Sequence, residues 1–143
     1  GRQLALDFAK AGCNVVVSAK TVTETPGLPG TIYSVADEVE ALGVKALPFQ
    51  LDVQDTDRMA DLVATANKEL GPVQILINNA SALWWKSIEE TPIKRYDLIN
   101  SINSRGTFAM TAACLPTMRE CGWGHVITQS PPIELDNMKD MTA

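Results

Sequence analysis

The sequence predicts an α/β fold built on a parallel sheet. Short β-branched runs, such as residues 15–17, alternate along the chain with segments whose apolar residues recur every three or four positions. The resulting order is α-β-α-β-α-β-α-β, which is typical of strands joined by helical crossovers. The 143 residues, 45% of them hydrophobic, are enough for one domain with a core.

The first elements are a helix over residues 2–11 and a strand over residues 13–18. Leu4 and Phe8 lie on one helical face, and Gly12 is a suitable helix stop. Three consecutive valines follow, which indicates a strand buried on both faces. Cysteines 13 and 114 lie in apolar stretches and are interpreted as small core residues.

The middle of the chain alternates in the same way. Residues 19–30 contain two prolines and two glycines and are predicted to form a loop. Residues 31–42 have helical spacing and residues 44–51 form the second predicted strand. Asp55 is the predicted N-cap of the next helix, and residues 73–77 form the third strand.

The last part is predicted to contain one long helix and a fourth strand. Thr91 is the expected cap of a helix over residues 92–118, with Pro92 at its first position. Residues 126–128 form the fourth strand, and prolines 131 and 132 end it. No shift in composition divides the chain, so residues 1–143 are assigned to one domain.

Composition excludes several function classes. The net charge of −5 and the scattered Lys and Arg residues disfavour nucleic-acid binding. No apolar run reaches the ~18 residues of a membrane span. One His and three Cys without a CxxC pair make a zinc site improbable. The odd cysteine count favours an intracellular, reducing compartment, whether cytoplasm, peroxisome or mitochondrion.

Four segments in the predicted order carry a family resemblance. Asn78-Asn79-Ala80-Ser81 follows the third strand, Asp52-Val53 ends the second, Asn103 precedes Arg105-Gly106-Thr107, and Ser130 follows the fourth strand. This pattern resembles the short-chain dehydrogenase/reductase superfamily, which has Gly where Ser81 stands. The long predicted helix fits it, since helices like 92–118 pack between subunits in this family. A homo-oligomer, or membership of a larger complex, is therefore expected.

More narrowly, the chain resembles the hydroxysteroid dehydrogenase-like group. The fold implied is a Rossmann-type doubly wound parallel sheet with strand order 3-2-1-4-5-6-7. Here it is incomplete, with the first strand and the C-terminal part absent. Two strand pairs would then flank a gap of ~5 Å, so we expect the protein to continue at both ends or a neighbouring chain to fill the gap. The matching stretches are Ala19-Lys20-Thr21, Leu28-Pro29-Gly30-Thr31-Ile32-Tyr33, Lys45-Ala46-Leu47-Pro48, Asn78-Asn79-Ala80-Ser81-Ala82, Thr91-Pro92-Ile93-Lys94-Arg95 and Ser130-Pro131-Pro132.

The resemblance implies a dinucleotide cofactor and assigns residues to it. Gly1 would be the last glycine of the phosphate-binding loop, where backbone amides face the pyrophosphate; alternatively it is only the edge of the chain. Asp52 and Val53 would contact the adenine. Asn79 and Ala80 would pass beside the adenosine ribose, and the Asn pair could also tie neighbouring strand ends together.

Lys20 bears on the choice between NAD and NADP. It stands just past the strand after which an acidic residue would bind the 2′-hydroxyl of NAD. Residues 18–20 contain no acid. A cation suits a 2′-phosphate, so NADP(H) is predicted, with NAD as the less favoured cofactor. The alternative is a solvated loop lysine.

Two catalytic residues are expected from the resemblance. Asn103 would hold a helix kink and a water near the active-site lysine; alternatively it is an exposed helical Asn. Ser130 would lie near the substrate carbonyl. If the usual Ser-Ser pair of the family is overlaid, Pro131 stands at the catalytic serine, and Ser130 replaces it with a small shift or the contact is weak.

The catalytic Tyr-x-x-x-Lys of the family has no counterpart among the two tyrosines. Tyr33 is followed four positions later by Asp37. Tyr96 is followed by Asn100. Such a pair needs one helix face so that the ammonium can lower the phenol pKa. By the spacing of the family, the pair is expected a few residues after position 143.

Two functions therefore stand as expectations. One is an NADP(H)-dependent oxidoreductase acting on a small carbonyl or alcohol substrate that is lipid-like. The other is a non-catalytic subunit with a degenerate reductase fold. The adjacent Trp84 and Trp85 cannot both face the core of a regular strand, so at least one is expected near the surface. The pair is either an apolar substrate wall, or a loop anchor or partner contact.

Overall fold

The computed structural model describes residues 1–24 and 30–130. The prolines and glycine of the predicted 19–30 loop at positions 26, 27 and 29 lie outside the described residues, as does Pro131. The elements are α1 (Arg2–Lys10), β1 (Val15–Ala19), α2 (Ile32–Glu40), β2 (Ala46–Gln50), α3 (Asp57–Glu69), β3 (Ile75–Asn78), α4 (Ile93–Asn100), the π segment (Ser101–Gly106), α5 (Thr107–Glu120) and β4 (His125–Thr128).

The strands form two parallel pairs. In one pair, Val15 of β1 lies opposite Ala46 of β2. In the other, Ile75 of β3 lies opposite His125 of β4. Within the described ranges, no ladder joins one pair to the other. The predicted parallel α/β architecture is confirmed, and the two pairs agree with a sheet order that lacks its central strand.

The core lies between β2, α3 and α5. Met59 is 1% exposed and Cys114 is also 1% exposed, so the core interpretation of Cys114 is confirmed. Cys13 is only partly buried. Burial raises the pKa of the Cys114 thiol to about 11, because the thiolate would lose its solvation. The buried cluster comprises Leu51, Met59, Leu62, Val63, Met110, Cys114 and Met118.

Two helix starts differ from the prediction by one residue. Thr56, not Asp55, precedes the first residue of α3, although the Asp55 carboxylate accepts a bond from the Arg58 amide at 3.4 Å. Pro92, not Thr91, precedes α4. The Thr91 hydroxyl instead donates to the Ser87 carbonyl at 2.7 Å, and this bond closes the turn before the helix.

The predicted single helix over residues 92–118 is wrong in its middle. The π segment separates α4 from α5, with a wider turn at Ser101–Gly106. Gly106 is buried there, and a Cβ atom on it would lie 3.0 Å from the Val53 carbonyl oxygen. The close approach of these two backbones therefore requires glycine. Periodicity cannot show this interruption, since a π turn shifts it by a single residue.

No helix in the described part of the chain is both long and apolar enough to cross a bilayer.

Candidate cofactor site at the carboxyl ends of the strands

Residues that follow the strands gather at the carboxyl ends of the two pairs. Lys20 comes directly after β1, Asp52 two positions after β2, and Asn79 directly after β3. In open parallel sheets, ligands bind outside these ends. The structure therefore places Lys20, Asp52 and Asn79 beyond the carboxyl ends of the strands, which is where dinucleotides bind in this architecture.

Lys20 and Asp52 form an ion pair that the sequence did not predict. The Lys20 ammonium lies 2.9 Å from the Asp52 carboxylate, with side chains 72% and 30% exposed. Asp52 also accepts a bond from the Gln54 main-chain amide at 3.0 Å. Lys20, followed by that amide, lowers the pKa of the Asp52 carboxyl. Two predicted site residues are thus joined directly.

The N-terminus of α1 faces the same region. The Gly1 carbonyl accepts the first helical bond from the Ala5 amide at 3.0 Å, and no side chain caps this end among the described residues. A Cβ atom at Gly1 would lie 3.5 Å from the side-chain amide nitrogen of Asn79. Open N–H groups at a positive helix end, beside a residue without a side chain, fit a pyrophosphate.

Asn78 and Asn79 differ in their contacts and in their exposure to solvent. The Asn78 amide nitrogen lies 3.3 Å from the Thr111 hydroxyl and 3.4 Å from the Thr128 hydroxyl, so it links β3 to α5 and β4. Asn79 and Ala80 are exposed beyond the strand end. Asn78 therefore holds the framework, while Asn79 and Ala80 are accessible to a ligand.

Asn103 binds the main-chain N–H and C=O of Ala82, which lie in two adjacent peptide groups, with the two ends of its side-chain amide. Its oxygen accepts from the Ala82 amide at 2.8 Å, and its nitrogen donates to the Ala82 carbonyl at 3.0 Å. The side chain is half-buried rather than exposed. Asn103 thus fixes the loop after β3 against the π segment, and its predicted link to an active-site lysine stays a prediction.

Gln54 and Ser101 belong to the candidate site, although no sequence pattern predicts them. The Ser101 hydroxyl lies 2.9 Å from the Gln54 side-chain oxygen and 2.8 Å from the Leu98 carbonyl. Gln54 in turn contacts Asp52. The two residues are 47 positions apart, so no spacing rule within one element could have paired them.

The two adjacent tryptophans have different environments. Trp84 is half-buried beneath Arg95, whose guanidinium carbon lies 4.6 Å from the ring centroid. The Trp84 indole nitrogen is buried and has no hydrogen-bond partner among the described residues. Trp85 is 68% exposed, and Leu83 is 60% exposed. The prediction that at least one lies near the surface is confirmed.

Ser130 follows β4 by two positions and is exposed. Its predicted catalytic role stays a prediction, because Pro131 lies outside the described residues. Within residues 1–24 and 30–130, no three His, Cys, Asp or Glu side chains gather as metal ligands would.

Comparison with known proteins gives a consistent result. The family model described as short chain dehydrogenase matches residues 1–142. Hydroxysteroid dehydrogenase-like protein 2 is 42% identical over 136 residues in Bos taurus and 43% in Homo sapiens. Each alignment covers 95% of this chain and 32% of the relative.

Solved structures agree. A short chain dehydrogenase from Mycobacterium thermoresistibile is 44% identical with a TM-score of 0.87, over 95% of this chain and 49% of that one. A short-chain type dehydrogenase/reductase from Mycobacterium marinum is 30% identical with a TM-score of 0.76, over 90% and 49%.

The chain thus spans about a third of the length of the curated relatives named here and about half that of the structures. A match over almost all of its residues nevertheless decides the family. The resemblance to the hydroxysteroid dehydrogenase-like group is confirmed by the two vertebrate relatives. The chain belongs to the short-chain dehydrogenase family, near the hydroxysteroid dehydrogenase-like group.

Proposed function

We propose that this protein is an oxidoreductase that transfers a hydride between NADP(H) and a carbonyl or alcohol substrate. Membership of the family implies a nicotinamide cofactor. The observation that carries the choice of NADP(H) is the position of Lys20, exposed at the end of β1 where NAD-binding proteins place an acid.

Each part of the cofactor has a partner of suitable chemistry. The uncapped first turn of α1 after Gly1 would hold the pyrophosphate. Asp52 and Val53 would border the adenine, while Asn79 and Ala80 would border the ribose. When bound, the nicotinamide ring supplies or accepts the hydride.

The ion pair with Asp52 does not exclude a 2′-phosphate at Lys20. An exposed pair of this kind contributes little, since water and salt screen it. A phosphate monoester carries about −1.5 to −2 charges at neutral pH and offers three acceptor oxygens. It is therefore the stronger partner for the Lys20 ammonium.

The test is calorimetric titration of the full-length protein with NADPH and NADH. Lys20→Met should weaken NADPH binding about tenfold, as expected for one lost charge-assisted hydrogen bond, and should leave NADH binding within about twofold. Lys45→Met, which replaces an exposed lysine at the other end of β2, is the matched control. Tighter binding of NADH than of NADPH by the unmodified protein would overturn the proposal.

For the substrate, we propose an apolar, lipid-like molecule. Leu83 and Trp85 are exposed on the loop after β3, next to the point at Ala82 where Asn103 holds this loop, so they offer apolar area to a substrate. Trp85→Ser should raise KM for long-chain carbonyl substrates more than for short ones, and Tyr33→Ser on α2 is the control. An equal effect on both chain lengths would contradict this.

No observation favours the alternative of a non-catalytic subunit, since the relatives compared are dehydrogenases or dehydrogenase-like proteins.

A further inference from the structure

A continuous chain of polar contacts runs from the end of β1 to the π segment. Lys20 contacts Asp52 at 2.9 Å. The Gln54 side-chain nitrogen lies 3.4 and 3.5 Å from the two Asp52 oxygens, and the Gln54 oxygen lies 2.9 Å from the Ser101 hydroxyl. Gln54 therefore stands between the Asp52 carboxylate and the helix that carries Asn103.

The orientation of the Gln54 amide follows from its neighbours. An ionised Asp52 can only accept hydrogen bonds, so the NH₂ group must face it. The amide oxygen then faces the Ser101 hydroxyl, whose single hydrogen it shares with the Leu98 carbonyl. A hydroxyl on the oxygen side thus keeps the NH₂ group directed at the carboxylate.

Asp52 depends most on this second partner if Lys20 moves away. Its side chain is 30% exposed, so the carboxylate is partly desolvated and gains from every donor it keeps. With NADH bound, Lys20 can stay on Asp52. With NADPH bound, the proposed function requires Lys20 to turn to the 2′-phosphate. Among the described residues, the side chain and main-chain amide of Gln54 then remain as donors to Asp52.

We infer that Gln54 is a positioning residue that holds the Asp52 carboxylate when Lys20 binds a 2′-phosphate, and thereby favours NADP(H) over NAD(H). Ser101 acts through Gln54 by fixing its amide. The inference rests on the proposed function, which it deepens by naming a determinant of cofactor preference outside the Lys20 position.

The experiment compares Gln54→Leu with Gln74→Leu in the full-length protein. Gln74 is exposed just before β3, at the opposite end of the strands, so the same substitution there controls for the loss of a glutamine. Dissociation constants for NADPH and NADH are measured by calorimetry, and thermal unfolding is followed for each variant. Ser101→Ala is the second variant, because it removes the anchor and leaves Gln54.

Gln54→Leu should weaken NADPH binding about fivefold, the size expected for one weak charge-assisted bond, with NADH binding within about twofold. Ser101→Ala should shift the ratio of the NADPH to the NADH dissociation constant in the same direction, by a smaller factor. An unchanged ratio, or equal weakening of both cofactors together with a lower Tm, would overturn the inference and leave Gln54 a structural residue.

A titration without cofactor separates failure of this inference from failure of the proposed function. In the Lys20→Met background, Gln54→Leu should raise the pKa of Asp52, followed by ¹³C NMR of its carboxyl carbon. If the unmodified protein binds neither NADPH nor NADH, the proposed function falls. An Asp52 pKa that Gln54→Leu leaves unchanged would overturn the positioning of Asp52 by Gln54 whether or not a cofactor binds.

Discussion

The clamp between Asn103 and Ala82 yields the sharpest stability prediction. Asn103→Ala removes two hydrogen bonds, of 2.8 and 3.0 Å, to the main-chain N–H and C=O of Ala82. Each contributes ~1 kcal/mol, and the main-chain groups of the half-buried Ala82, left without these partners, add a desolvation cost. The free energy of unfolding should therefore fall by about 2–4 kcal/mol.

Asn100→Ala is the matched control, three positions earlier. The Asn100 side-chain amide donates to the Tyr96 carbonyl one turn back, in an exposed hydrogen bond. Loss of this local bond should cost less than ~1 kcal/mol. Urea unfolding of both variants gives the difference, provided that the m-values agree.

Hydrogen exchange locates the effect. The Ala82 amide donates to Asn103, so its protection should drop about 30-fold if the clamp contributes ~2 kcal/mol. Amides within β1 should change only as far as global stability does. The reasoning is refuted if Asn103→Ala and Asn100→Ala destabilise equally, or if the Ala82 amide keeps its protection.

Three further outcomes are expected. Cys121 is exposed, whereas Cys114 is buried with its pKa raised to about 11, so at pH 8 a disulfide reagent should label Cys121 at least tenfold faster; comparable rates would contradict the burial. Met59→Ala should lower the free energy of unfolding by about 2–5 kcal/mol and Met59→Leu by less than ~1.5, both measured in urea. Because Lys20 lowers the pKa of Asp52, their ion pair stabilises the folded protein at a pH above the ordinary carboxyl pKa of about 3.9. This stabilisation is lost as the pH falls through the lower pKa that Asp52 has in the folded state. Lys20→Met should therefore reduce the acid dependence of unfolding below about pH 4, and an unchanged NMR titration of Asp52 would argue against the pair.

The class of fold and the order of its elements could be predicted from the chain alone. Three valines in a row, at positions 15–17, predict a parallel strand, and β1 forms there. The expected burial on both faces is not confirmed, because the three valines are only partly buried. Helical periodicity located α2 and α3, because each helix has one buried face and its apolar residues therefore recur every three or four positions. The family resemblance also came from local strings such as Asn78-Asn79-Ala80-Ser81.

Other features required the tertiary structure. Periodicity alone predicted one helix over residues 92–118, because a π turn hardly changes the spacing of apolar residues. In the structure, Gly106 lies close to Val53 at the end of this π segment. The pairing of Gln54 with Ser101 depends on how two distant elements approach, and no local pattern encodes that distance.

The same division applies to the ionisable groups. The sequence alone indicated that Lys20 follows one strand and that Asp52 ends the next. Only the folded arrangement decided that they form one ion pair, because the parallel register places Ala19 opposite Gln50 and so brings the residues that follow both strands together. Local interactions determine which elements form, whereas contacts between side chains depend on the packing of elements that are far apart in the chain.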